Sequence, residues 1–300
     1  MTGIDGFQLR HTDFRFIGHS LSRPECILAE LDGNLWVADD KSAVLHIAPD
    51  GTQRRLGNIG GKPNGIAMAR DGSFFIANIE DGRLYRMDRD GRSEVLLDAL
   101  EGKALGAVNF VMVDTQDRLW MSVSTRLIPR SLAIDSVVPD GYVVHFGERG
   151  PRIVSEGFAF TNEVRLDRGE KFLYVAETSR GRVVRQELLV DGALGPVQVF
   201  GPEPLFPGAK IDGITFDADG NLWVTEITRN ALAVITPQGE AHVVFEDRDA
   251  QVLDTPTSVT FCGPDLKTVL VGSLKMDRIA RFRSPVAGLP LPHWDRGAPR

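Results

Sequence analysis

Between Ile211 and Ile227 the chain alternates apolar and polar residues, turns at Asp219-Gly220-Asn221, and alternates back through Leu222-Trp223-Val224-Thr225-Glu226. Two short runs of period two joined by an Asp-Gly turn read as a β-hairpin. The same shape recurs in LDGNLWVAD (31–39), RDGSFFIAN (70–78), TQDRLWMSV (115–123), RGEKFLYVAE (168–177) and PDLKTVLVGS (264–273). The large residues of these runs align at Trp36, Phe75, Trp120, Tyr174, Trp223 and, more weakly, Leu270, at separations of 39, 45, 54, 49 and 47. A period in the forties, with one hairpin per copy and little helical signal, predicts an all-β chain folded as a six-bladed β-propeller.

Counting strands predicts how the ring closes. Each blade needs four antiparallel strands, A to D from the central channel outwards. Blade 1 is expected near 25–29, 35–38, 44–47 and 52–56, and blade 2 near 64–68, 74–77, 83–87 and 93–97. Blades 3, 4 and 5 end near 155, 200 and 246. Blade 6 has three strands, near 258–261, 269–272 and 278–282, before SPVAGLPLPHW, which is too rich in proline for a central strand. The alternating run DFRFIG (13–18) has no partner of its own and is expected to supply the missing outer strand. That closure covers an edge that would otherwise invite pairing with another chain. One domain over 1–300 is expected, with the proline-rich tail packed on a surface.

Composition narrows the partners. The net charge of −7 argues against nucleic acid or an anionic membrane as partner. No stretch approaches the roughly 20 apolar residues that span a bilayer, and MTGIDGFQLRHTDF carries no signal-peptide core, so a cytoplasmic protein is expected, a monomer or small homo-oligomer. The two cysteines, Cys26 and Cys262, fall at inner strands and read as small buried hydrophobes rather than a disulfide framework.

Eleven or twelve residues before each anchor stand Glu25, Asn64, Asn109, Asn162, Asp212 and Ser258. All six are polar, and each opens a mostly apolar inner strand. Equivalent starts of inner strands form a ring at one mouth of the channel. Asn and Asp also favour turns, but Glu25 is no turn former and the register repeats in every copy. The ring offers two carboxylates, three amides and a hydroxyl, with no His or Cys. Zinc, copper and iron prefer imidazole or thiolate; an all-oxygen set with two negative charges suits one hard divalent cation, calcium first, with magnesium, manganese or zinc behind. Three residues past the anchors, Asp39, Asn78, Val123, Glu177, Glu226 and Ser273 form a second ring at the same mouth. Asp39, Glu177 and Glu226 are expected to orient the first ring by hydrogen bonds.

The loop between strands B and C of blade 3, STRLIPRSLAIDSVVPD (124–140), accounts for the long spacing of 54. It reads either as a functional lid or as a variable surface excursion. Its Arg126 and Arg130 offer a cation to hold a polarised oxygen, and Arg126 is expected to help position substrate together with Asn64, Asn109 and Ser258. No GxSxG elbow, P-loop, HExxH or dinucleotide fingerprint is present.

On RPEC (23–26), VNF (108–110), FTNEVRLDRGEKFLYVAET (160–178) and IDGITFDADGNLWV (211–224), the chain resembles the gluconolactonase/regucalcin (senescence marker protein) family of six-bladed propellers, over roughly residues 15–290. The resemblance implies a divalent metal at one channel mouth, held by Glu25, Asn162 and Asp212. It implies that Asn109 meets substrate or the waters of the metal, and that the reaction is opening of a lactone with Asp212 as general base. Phe110 after Asn109 and the blade 3 loop depart from the sugar-lactonase pattern. The leading reading is a metal-dependent hydrolase acting on a lactone or related ester, the metal polarising the carbonyl and Asp212 or metal-bound water activating the nucleophile. Phosphotriester hydrolysis and a non-catalytic calcium- or ligand-binding propeller are the alternatives.

Overall fold

Six four-stranded antiparallel sheets follow one another along the chain, each built from consecutive strands except the last. The computed structural model describes residues 3–190 and 192–294. The inner strands are Ile27–Ala29, Pro63–Met68, Val108–Val113, Thr161–Leu166, Ile211–Phe216 and Pro256–Cys262. The sixth sheet completes itself with the N-terminal strand Arg15–Ile17, which lies antiparallel to Ile279–Arg283 with Arg15 opposite Arg281 and Ile17 opposite Ile279. The closure expected from the unpaired run DFRFIG is the one observed.

The hairpin between strands A and B is fixed by the same local chemistry in three blades. The tight turns put Gly33, Gly72 and Gly220 at φ of 88°, 84° and 83°, a region open to glycine and costly for other residues. In blades 3 and 5 an acid before the turn, Asp114 or Asp217, accepts the indole N–H of the anchor six residues later, at 3.0 Å from Trp120 and 3.1 Å from Trp223. Glu30 does the same for Trp36. Five of the six anchors are buried, Phe75 is half-buried, and they fill the gaps between blades. Trp36 lies 5.0 Å from Phe74 of the next blade, and Tyr174 lies 4.9 Å from Phe216 of the next. Their indole and phenol rings supply apolar area while the polar atom finds a partner. His46 stacks on Trp36, and His145 lies tilted against Trp120, each with ring centres 4.2 Å apart. Cys26 and Cys262 are buried free thiols.

Three features differ from the reading by pattern. A small hairpin, Ala99–Leu100 with Lys103–Ala104, sits between blades 2 and 3, too short to leave a periodic signal. The outer strand of blade 3 runs through Gly150–Phe158, because its partner Gly141–Gly147 is also long. The 124–140 segment contains a helical turn, Leu132–Asp135. The proline-rich tail has a definite course: Ala218 N–H donates to Ala287 at 2.7 Å, Gly288 bridges Asp217, and the Trp294 indole donates to the Ala29 carbonyl at 2.7 Å. It therefore crosses the ends of the inner strands of blades 5 and 1, at the mouth opposite the polar ring. Among the described residues, no helix is long and apolar enough to cross a membrane.

Candidate metal and substrate site

Strand A opens with a break in register in five blades, between Pro63 and Ile66, Val108 and Phe110, Thr161 and Val164, Ile211 and Ile214, and Pro256 and Val259. Asn64, Asn109, Asn162, Asp212 and Ser258 fall inside those breaks. A bulge interrupts the two-residue alternation and re-aims a side chain. Here it does so at one level of every blade. In blade 1 the equivalent kink comes from Arg23, at φ 56°, whose carbonyl accepts the Glu25 N–H at 2.7 Å. All six ring residues are buried, and the strands close in tightly around them. A Cβ on Gly213 would stand 2.1 Å from the Thr257 carbonyl oxygen, so only glycine lets blades 5 and 6 approach this closely.

The amides bind the ring together on one side. The Asn64 amide donates to Glu25 Oε1 at 2.8 Å and to the Asn109 backbone carbonyl at 2.9 Å, while Asn64 Oδ1 accepts from the Arg23 guanidinium. Asn109 donates to Ser124 Oγ at 2.8 Å, and Ser124 donates on to the Thr161 carbonyl at 2.9 Å. Asn162 donates to Thr178 Oγ1 at 3.2 Å, which turns its carbonyl oxygen the other way. On the opposite side three buried oxygens have no partner: Asn162 Oδ1, Asp212 Oδ1 and Ser258 Oγ. Buried polar atoms without partners are rare, and each asks for a ligand.

The electrostatics point the same way. Burial pushes the Glu25 carboxyl up to about 7, with Arg23 opposing and the Glu163 carboxylate adding to the rise. Asp212 is raised well above the usual carboxylate range, first by burial and then by the nearby charges of Glu25 and Glu163. Glu163 is itself raised to about 7 by burial, against the pull of Arg165 at 3.0 Å. Carboxylates held together in this way repel one another unless a cation or protons intervene. Among the described residues no three His, Cys, Asp or Glu side chains converge as a metal cluster. A cation here is therefore a matter of two carboxylates with amide and hydroxyl oxygens, the donor set that hard divalent ions accept.

The structure redistributes several expected roles. Asp39, Glu177 and Glu226 are fully buried, but their bonds run to the backbone leading into strand A rather than to the ring side chains. Asp39 accepts the Ser22 N–H at 3.0 Å, Glu177 the Ala159 N–H at 2.7 Å and Glu226 the Lys210 N–H at 2.9 Å. Contact with the ring amides belongs to the next residue along, Ser124 and Thr178. The reason is that the pleat points alternate residues to opposite sides, and the carboxylates take the side facing the loop. Asn64 has both ends of its amide committed within the ring, so it braces Glu25 instead of facing a substrate. Arg126 is exposed, with its guanidinium 4.1 Å from the centre of the Tyr142 ring; the cation bonded to the ring is Arg23. Arg23 stands in the RPEC motif but had no role in the reading by pattern, because its reach depends on a left-handed backbone that the sequence does not announce. Glu163 was missed for the same kind of reason: the bulge that aims Asn162 into the ring also decides where its neighbour goes.

The other end of the channel holds a cavity of about 450 Å³ lined by Ile66, Phe110, Met112, Phe216 and Phe261, and by Leu289 of the tail. None of the six ring residues lines it. The Arg165 guanidinium lies 4.3 Å from the centre of the Phe110 ring, at this apolar end.

With the geometry in place, likeness to known proteins adds its own information. The family model described as SMP-30/Gluconolactonase/LRE-like region matches residues 24–275. Among curated proteins, strictosidine synthase-like 10 of Arabidopsis thaliana is 26% identical over 184 residues, which is 59% of this chain and 48% of that protein. The chain thus spans about half the length of that relative. Among solved structures, a gluconolactonase of Xanthomonas campestris superposes with TM-score 0.73 at 19% identity, covering 90% of this chain and 89% of that one. The calcium-binding protein regucalcin of Agrobacterium tumefaciens superposes with TM-score 0.73 at 17% identity, covering 92% and 97%. At such identities the superpositions speak for the fold.

Proposed function

Because this chain belongs to the SMP-30/gluconolactonase/LRE-like family, we propose that its polar ring is the active site of a divalent-metal-dependent hydrolase that opens a lactone or related small ester. The observation that carries this reading is the set of unpartnered buried oxygens, Asn162 Oδ1, Asp212 Oδ1 and Ser258 Oγ, beside two carboxylates that burial forces toward protonation. Glu25, Asn162 and Asp212 are the residues that would hold the cation, with calcium the best match to the oxygen donors. When bound, it supplies Lewis-acid polarisation of the ester carbonyl and compensates the charge that develops on that oxygen.

The chain's own groups do the rest. Asp212 takes a proton from the attacking water as the new C–O bond forms, a task worth about 10²–10⁴-fold for a well-placed base. The ring C–O bond of the lactone then breaks, the proton passes to the leaving alkoxide, and the product is a hydroxy acid. Asn64 and Arg23 hold Glu25 in position, Asn162 is turned by Thr178, Asn109 is held between the Asn64 amide and Ser124, and Ser258 faces the reacting ester. Buried side chains locked by hydrogen bonds pre-organise such a site.

The test is proton release on adding a panel of γ- and δ-lactones to metal-stripped protein, then after restoring calcium, manganese or zinc. Turnover that returns with metal and is absent in Asp212→Asn supports the reading. No turnover with any metal, while calorimetry records one tight calcium site, turns the assignment to a calcium-binding propeller, as regucalcin of Agrobacterium tumefaciens is described.

A further inference from the structure

The blade 3 segment 124–140 does not stay over its own blade. Its helical turn is tied to blades 4 and 5, where the Ser179 hydroxyl donates to the Ala133 carbonyl and the Lys210 ammonium donates to the Ile134 carbonyl and pairs with Asp135 at 3.4 Å. Just ahead of that turn, Arg130 feels Arg23 and Asp40 of blade 1 and Glu80 of blade 2. The segment is thus pinned beside the starts of the inner strands of blades 4 and 5, at the mouth that holds the ring, with Arg130 in electrostatic reach of blades 1 and 2.

Arg130 is partly buried; its carbonyl accepts the Ala133 N–H at 3.0 Å, but its guanidinium makes no hydrogen bond or ion pair among the described residues. Its facing cation, Arg23, contacts Asp40 at 3.9 Å and already donates to Pro63 and Asn64. Asp40 Oδ1 is itself buried without a hydrogen bond, and Glu80 is exposed. Two guanidinium groups thus stand within electrostatic reach of each other at this mouth, and that of Arg130 has no hydrogen-bond partner among the described residues. Desolvation and the Arg23 charge work against the charged form of Arg130, with Glu80 and Asp40 partly opposing them, and a bound anion would add to that support. The chain as a whole is acidic, at −7, and would repel an anionic substrate unless cations were set at the entrance.

We propose that Arg130, seconded by Arg23, receives a carboxylate of the substrate, so that the lactone opened at this ring is one that carries a second, ionised acid group. The planar fork of a guanidinium matches a carboxylate in two parallel hydrogen bonds. The substrate would then lie with its ester at the ring oxygens and its acid group up against the lid. This specificity rests on the lactonase reading, but it is tested apart from turnover.

Titration calorimetry of the calcium-loaded protein with 2-pyrrolidone and its 5-carboxylate reads the preference directly, because these lactams mimic γ-butyrolactone and its γ-carboxylate without being hydrolysed. The 5-carboxylate should bind about 10–100-fold more tightly, the range of a hydrogen bond to a charged group. Arg130→Ala should abolish that margin and Arg130→Lys should keep part of it. In a turnover assay the ratio of KM values for the two lactones should collapse in Arg130→Ala. Equal binding of the two lactams, binding of neither, or an equal loss for both in Arg130→Ala overturns the proposal. Failure to hydrolyse either lactone, with the calorimetric preference intact, counts against the lactonase reading while leaving the carboxylate site standing.

Discussion

The two mouths of the channel are made by opposite ends of the same six strands, yet they are built on different rules. At one mouth, five strands begin with a bulge, and buried polar side chains converge with oxygens left unpaired. At the other, the strands run in regular register into an apolar cavity of about 450 Å³, closed over by the C-terminal segment. The polar mouth stores unfavourable burial and repulsion that only a ligand relieves, whereas the apolar mouth gains from every atom it covers. The ring is therefore expected to answer mutation in function, and the far mouth in stability.

That division can be broken most sharply at Asp212. Asp212→Asn keeps the volume and the bulge but removes the base and half of the ring's negative charge. Lactone turnover should fall by about 10²–10⁴-fold, with the melting temperature of the metal-free protein unchanged or raised, as differential scanning calorimetry would show. At the far mouth, Phe261 is buried beside Trp223, with ring centres 5.8 Å apart. Phe261→Ala should lower stability by about 3–5 kcal/mol in denaturant titration while kcat per folded molecule holds. A fall in kcat without loss of stability would mean that the far mouth belongs to the site after all.

The third test is pH. Glu25 and Glu163 both stand near 7 in the folded chain against a usual value of 4.5. A carboxyl whose folded value is raised contributes stability that is complete below 4.5 and is lost as pH climbs to about 7, because the unfolded chain gives up its proton first. Metal-free protein should therefore melt at lower temperature at pH 8 than at pH 5, and Glu25→Gln should flatten the trend. Calcium should raise the melting temperature more at pH 8. Melting curves in chelator across this range decide it, and a rise in stability towards pH 8 would contradict the repulsive ring.

Much of this contrast could be read in the sequence, and the limits follow a physical line. Anchors and turns are local: an Asp-Gly turn and a Trp or Phe a few residues later report on one hairpin, so the blade count and the ring closure follow from spacing. The positions of Glu25, Asn64, Asn109, Asn162, Asp212 and Ser258 were legible for the same reason, since one register repeats six times. What escaped depends on backbone detail or on meetings between blades. Arg23 reaches the ring through a left-handed residue, and Glu163 sits beside a bulge. Arg130 crosses to blades far from its own in sequence. The tail looked like a surface strip because nothing in SPVAGLPLPHW says which opening it covers.

The smallest expected effect separates neighbours that the pattern confused. Glu177 lies in the register expected to orient the ring, but its carboxylate holds the Ala159 N–H, Arg180 and Arg182. Thr178, one residue on, holds the Asn162 amide at 3.2 Å and so decides which end of that amide faces the channel. Thr178→Val keeps the shape and removes the acceptor. The amide is then free to turn its NH₂ inward, where a cation would meet a donor instead of an oxygen. Calcium affinity measured by calorimetry should drop by about tenfold, the low end for loss of a group that orients a metal ligand. Glu177→Gln keeps a carbonyl for the Ala159 N–H and should change calcium affinity less, while loosening the Arg180 and Arg182 pairs. If Glu177→Gln weakens calcium more than Thr178→Val, the ring is set through its backbone supports, and the amide orientation is not what Thr178 controls.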